Sequence, residues 1–224
     1  GSYIDDKDTF SSITCSKLKG WKCFNGGVNA YGILNIVARS KYDERIQQDD
    51  IRIFTFITDD FDRGLQKSST AHFILREPPK FFPALWEVSN FAASKIEPKK
   101  WFGKNSKNKI SKDIIKYQKL LNRSFALEIL ISEIERLRSQ EKKFLLIHSP
   151  SRTELNNPKI LEDNIIIKTL YKKFPNDFIN LSEIFSNRPK KNQENIFKDD
   201  VHYQKIGHQI VGEFLSNILS NKIN

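Results

Sequence analysis

IRIFTFIT, residues 51–58, is the stretch on which the fold turns. It is β-branched and aromatic, and mostly apolar on both faces. That is the pattern of a parallel strand covered by helices on each side. KFLLIHSP, residues 143–150, repeats the pattern. Helical signals surround the two. DTFSSITCSKLKG (8–20) has an Asp/Thr start and a Gly stop. AYGILNIVARS (30–40) is apolar at helical spacing, and NRSFALEILISEIERLRSQ (122–140) is amphipathic. WKCFN (21–25) reads as a short strand running into the turn NGG. LEDNIIIKTLYKKF (161–174) predicts one helix, DFINLS (177–182) a short strand, and YQKIGHQIVGEFLSNILS (203–220) the closing helix. Strands alternating with helices predict an α/β fold, a three-layer arrangement with a mainly parallel sheet between helices. Residues 60–120 hold two Pro-containing stretches and a Lys-rich run. They read as an irregular or helical insertion in a single domain spanning 1–224.

Composition narrows the classes. With 224 residues the chain is long enough to bury a proper core. Its 38% hydrophobic content, with 17 Phe, excludes a disordered chain. No apolar run approaches a membrane span. The formal net charge of +10 is concentrated in residues 99–119, where eight Lys face one Asp. A polyanion footprint is one reading of that run. No recognised nucleic-acid motif accompanies it, so a Lys/Asn-rich surface insertion is the reading preferred. Cys15 and Cys23 lack metal-site spacing. They form a disulfide in an exported or periplasmic chain and remain thiols otherwise; the sequence leaves both open, with export the working expectation.

Ligand sites in open α/β sheets lie beyond the carboxyl ends of the strands. Four segments qualify: NGGVN, DDFDR, HSPSR and the loop carrying Asp199 and His202. The last, in KDDVHYQKIGHQIV (198–211), places a carboxylate three residues before a histidine, just ahead of the final helix. Asp199 can orient the imidazole so that His202 acts as a base. A helix N-terminus with an ordinary surface histidine is the simpler alternative. No G-x-S-x-G elbow marks a nucleophile at these edges.

Together these blocks resemble the SGNH (GDSL-like) hydrolases, and the resemblance reaches across most of the chain. Asp199, His202, Gly207 and His208 match the family's D-x-x-H block and the Gly-His that commonly follows it. FNGGVNAYG resembles the block with the oxyanion glycine, which places Gly27 in that role with Asn25 beside it. The family's G-x-N-D block falls on ITDD, where Ile57 replaces the Gly and Asp59 the Asn. An ionised Asp59 has no donor for an oxyanion and would repel it. GSYIDDKDTF (1–10) resembles the tail of the Gly-Asp-Ser block, so the nucleophilic Ser is expected upstream of residue 1. Ser2 sits late in the pattern and lacks the preceding Asp; Ser149 is the reserve nucleophile. His208 and His148 read as packing residues, and His72 receives no role.

The resemblance implies a serine esterase or O-acyltransferase working through an acyl-enzyme on an acylated glycan or lipid. No cofactor or metal is expected. The alternative is an inactive SGNH-like domain that binds a glycan or protein partner, motivated by Asp59 and the unidentified Ser. A polyanion-binding module ranks third.

Overall fold

The computed structural model describes residues 4–27, 31–63, 112–186 and 195–223. Most of the expected insertion, 64–111, lies outside the described residues. A parallel sheet of three strands forms the centre: β1 (Ile51–Phe56), β2 (Lys143–His148) and β3 (Phe178–Asn180), in the order β1-β2-β3. The chain is thus α/β. Among the described residues the helices are α1 (Phe10–Lys17), α2 (Ile33–Tyr42), α3 (Glu44–Gln47), α4 (Lys112–Ser139), α5 (Arg152–Asn156), α6 (Pro158–Glu162), α7 (Ile165–Lys173), α8 (Ser182–Ser186) and α9 (Lys205–Ile223). A 3-10 turn, Thr58–Phe61, follows β1.

Period-two alternation divides the core. Phe144 and Leu146 of β2 join Phe54 and Phe56 of β1 in one cluster, packed by Ile33 and Val37 of α2, Leu130 and Ile134 of α4, and Leu170 of α7. Leu145 and Ile147 point the other way, into a cluster with Leu181, Phe185 and the Ile210, Val211, Leu215 and Leu219 row of α9. That row recurs at helical spacing, so one face of α9 is buried along its length. Helix α1 crosses α9 closely. A Cβ on Gly212 would lie 2.7 Å from Ile13 Cβ, so only glycine permits the approach.

Arg52 is a buried charge in β1. It is fully engaged: Nη1 donates to Ser40 O at 2.9 Å, Nη2 to Ile46 O at 2.8 Å, and Nε to Asp49 Oδ2 at 2.7 Å. Glu133 of α4, also buried, pairs with Arg136 at 2.8 Å. This network ties α2, α4 and the amino end of β1 together.

Two sequence expectations fail. Residues 21–25 form no strand. A strand needs a ladder partner, and this segment finds its contacts elsewhere. Cys23 is disulfide-bonded to Cys15 of α1, Trp21 packs on the second cluster, and Phe24 lies under the guanidinium groups of Arg39 and Arg45. The single helix expected over 161–174 is two helices. Asn164 interrupts it and restarts α7 as an N-cap, its Oδ1 accepting from Ile166 N at 3.0 Å.

Candidate active site

The three strands end in register, Phe56 opposite His148 and His148 opposite Asn180. The segments leaving these residues converge on one edge, where α9 also begins.

The loop before α9 is closed by an antiparallel bridge between Phe197 and Tyr203, and Lys198 N donates to His202 O at 2.8 Å. Within it Asp199 makes a tight Asx turn. Its Oδ1 accepts from Val201 N at 3.0 Å and His202 N at 2.9 Å. Its Oδ2 lies 2.7 Å from His202 Nδ1. The His202 backbone N–H, then that of Val201, then the His202 ring hold the Asp199 carboxyl down at about 2. Asp199 is therefore ionised at neutral pH and accepts from Nδ1–H. That contact fixes the tautomer and makes Nε2 the ring's basic nitrogen. Both side chains are about half-exposed, 48% and 50%.

The neighbouring Asp200 points the other way. Its Oδ1 accepts from Thr153 N at 2.9 Å and Thr153 Oγ1 at 2.8 Å, and its carbonyl accepts from Arg152 N at 2.6 Å. The Arg152 guanidinium reaches Phe197 O. The first turn of α5 thus grips the dyad loop at both ends.

Behind α5 lies a buried polar cluster. Ser151 and Glu154 form a reciprocal capping box, Glu154 N to Ser151 Oγ at 3.1 Å and Ser151 N to Glu154 Oε2 at 2.8 Å. Glu154 Oε1 also accepts from Thr58 Oγ1 at 2.6 Å. Thr58 Oγ1 lies 3.2 Å from His148 Nε2 and accepts from Asn164 Nδ2 at 3.0 Å. His148 Nδ1 lies 3.2 Å from Asn180 Oδ1. Burial pushes the His148 pKa down, against the opposing pull of Glu154. With His148 neutral and its Nδ1 donating to Asn180, Thr58 has one proton and two acceptors facing it, Glu154 and His148 Nε2. His148 is therefore enclosed, with Nδ1 bonded to Asn180 and Nε2 facing a Thr58 hydroxyl whose proton goes to Glu154.

A cavity of about 620 Å³ opens above this cluster. Thr58, Asp59, Arg123, Glu154, Asn164, Asp200 and Val201 are among its lining residues. The structure therefore brings Asp59 and the Asp200–Val201 part of the loop to the same cavity, while Asp199 and His202 themselves are not among its lining residues. Nor are Asn25 and Gly27 among its lining residues. Gly27 N donates to Asn25 Oδ1 at 3.0 Å, and Gly26 faces the Ile46 side chain of α3. Helix α3 feeds the amino end of β1, the opposite end from Asp59. Ser149 is buried and its hydroxyl is bonded to the Tyr203 hydroxyl. His208 Nδ1 accepts from Phe10 N at 3.2 Å, and its ring stacks on Phe10. Ser2 and His72 lie outside the described residues.

Sequence reasoning passed over Thr58, Glu154, Asn164 and Asp200. Only Glu154 had a local signal, the S-x-x-E capping spacing of SRTE. Among the described residues no three His, Cys, Asp or Glu gather as a metal site, and no helix is long and apolar enough to cross a membrane. No protein-family model, no curated protein and no solved structure matches the chain.

Proposed function

We propose that this chain is an SGNH-type serine esterase or O-acyltransferase, and that Asp199 and His202 are the orienting acid and the base of its triad. The observation that carries the reading is the 2.7 Å Asp199–His202 contact, held by an Asx turn at the carboxyl edge of a parallel sheet. The two core clusters on alternate sides of β2 support the layered, flavodoxin-like arrangement such enzymes share.

In this mechanism a serine hydroxyl attacks an ester carbonyl while His202 Nε2 takes its proton. The alkoxide then leaves with that proton, and water or a sugar hydroxyl attacks the acyl-enzyme by the reverse path. Asp199 stabilises the imidazolium that forms. The serine is assigned outside the described residues, in the Gly-Asp-Ser segment that the resemblance places ahead of Asp5–Phe10. Two contacts support this route, because they hold the residues that follow that segment against the start of α9: Asp8 pairs with Lys205 at 3.0 Å, and Phe10 N donates to His208. The cavity is lined by hydroxyl, amide, carboxylate and cationic groups beside Ile57, Ile160 and Val201. Such a mixed lining offers hydrogen bonds to a sugar and an apolar wall to its acyl group.

A second reading, an inactive SGNH-like domain that binds a glycan or protein, has Asp59 in its favour. A carboxylate stands there in place of the family's oxyanion-donating Asn. One experiment separates the two. The full-length protein is treated with a fluorophosphonate probe and assayed on p-nitrophenyl acetate, beside His202→Ala. A single covalent adduct and turnover in the wild type, both lost in His202→Ala at an unchanged melting temperature, establish the enzyme. The expected loss in kcat is roughly 10³-fold or more. No adduct and no turnover in the wild type establish the binding domain.

A further inference from the structure

Asp199 and Asp200 are adjacent, identical in chemistry and about equally near His202 in sequence, yet they face opposite ways. Asp199 turns inward on its own loop and accepts from the His202 ring. Asp200 turns outward and closes the first turn of α5. It takes three of that turn's donors, Thr153 N, Thr153 Oγ1 and, through its carbonyl, Arg152 N. Those donors would otherwise be orphan groups of a helix start. The arrangement is reciprocal: α5 gains a cap, and the dyad loop gains a fixed point one residue from Asp199.

Helix α5 is itself anchored. Its third residue, Glu154, is buried and bonded to Thr58, which begins the turn carrying Asp59. Thr58 contacts His148 at the end of β2. Hydrogen bonds therefore run from the sheet edge through Thr58 to Glu154 and, one peptide bond on, from Thr153 to Asp200. They end at the loop that holds the proposed base.

We infer that Asp200 is a positioning residue: by capping α5 it transfers the rigidity of the sheet edge to the Asp199–His202 pair and fixes that pair relative to the cavity that Asp200 and Asp59 line. Asp200 touches no reacting atom in this scheme. It acts through the backbone of residues 199–202, which an exposed loop of this length does not fix by packing alone. What the capping bonds require is a carbonyl-type oxygen at Oδ1, not a charge. Asn supplies that oxygen and Ala does not. The consequence for activity rests on the reading of Asp199 and His202 as a catalytic pair; the structural consequence does not.

The test uses the full-length protein and the variants Asp200→Ala, Asp200→Asn and Thr153→Val. The first readout is independent of catalysis, the titration of the Asp199 carboxyl followed by ¹³C NMR. In the wild type and Asp200→Asn it stays at about 2. In Asp200→Ala it rises toward the ordinary carboxylate range, because the loop no longer holds the Val201 and His202 N–H groups on Oδ1. Thr153→Val keeps the backbone donor and falls between. The second readout is hydrolysis of p-nitrophenyl acetate. In Asp200→Ala kcat falls by about 10- to 100-fold with KM little changed, and Asp200→Asn restores it. An unmoved Asp199 titration in Asp200→Ala overturns the proposal, as does Asp200→Asn behaving like Asp200→Ala. If the wild type hydrolyses nothing, the enzyme reading fails. The Asp199 titration then decides the positioning role alone.

Discussion

Ile57 donates its N–H to Asp60 Oδ2 at 3.0 Å, and Arg63 Nη1 lies 3.1 Å from Asp60 Oδ1. Both favour the ionised form. Burial outweighs them, because Asp60 is only 8% exposed, and its carboxyl is pushed up to about 6 from the ordinary 3.8. The folded state thus binds this proton more tightly than the unfolded chain. Its contribution is present below pH 4 and is lost as the pH rises through 6. The full swing is about 3 kcal/mol for one such group. Urea midpoints measured from pH 4 to 7 should fall for the wild type relative to Asp60→Asn across that window. A constant difference would show Asp60 as an ordinary ionised partner of Arg63. Asp59, one residue earlier, is exposed and faces the cavity. Adjacent carboxylates so differently placed are invisible in TDD as a string. The 3-10 turn decides them by rotating one inward beneath Phe61, which is itself fully buried and packed edge-on against Phe56.

Among the elements, α1 and the segment after it depend on a covalent tie. The Cys15–Cys23 disulfide closes a loop of eight residues' separation. By loop-closure entropy such a link stabilises by about 2.5 kcal/mol. Cys23 is exposed, so replacing it leaves no cavity to add to that cost. The double variant Cys15→Ser, Cys23→Ser should melt roughly 5–10 °C lower, and a reductant should lower the wild type to the same value. A reductant without effect would mean that the thiols are not paired in solution. The pattern rules read most elements correctly, α1, α2, β1, β2, β3 and α9, because each has an uninterrupted apolar period or a plain cap. They failed at 21–25, where short alternation without a ladder partner did not make a strand, and at Asn164, where a side-chain cap outweighed a continuous apolar run.

For the whole molecule, the informative surface is β1. Among the described residues it pairs with β2 on one edge only, and Ile53 is 36% exposed. An apolar edge strand is a template for further pairing. In the 224-residue chain, Ile53→Lys should lower concentration-dependent light scattering while leaving the melting temperature little changed. In a longer chain whose preceding strand covers this edge, the same substitution should be strongly destabilising, since it would bury a charge. Comparing the two chains shows whether the sheet continues beyond β1.

Local pattern was enough to read the α/β class, the two long strands and the Asp199–His202 spacing, because these rest on short-range periodicity and on residues three apart in one turn. Packing between distant elements settled that Ser149 is spent on Tyr203. The same holds for the bonding of Thr58, His148 and Glu154 into one buried cluster. Those outcomes depend on side chains 54 to 96 residues apart and on which donors each fold contact leaves to be satisfied. No local pattern carries that information, because a buried polar group's partner is chosen by the packing of the elements that bear it.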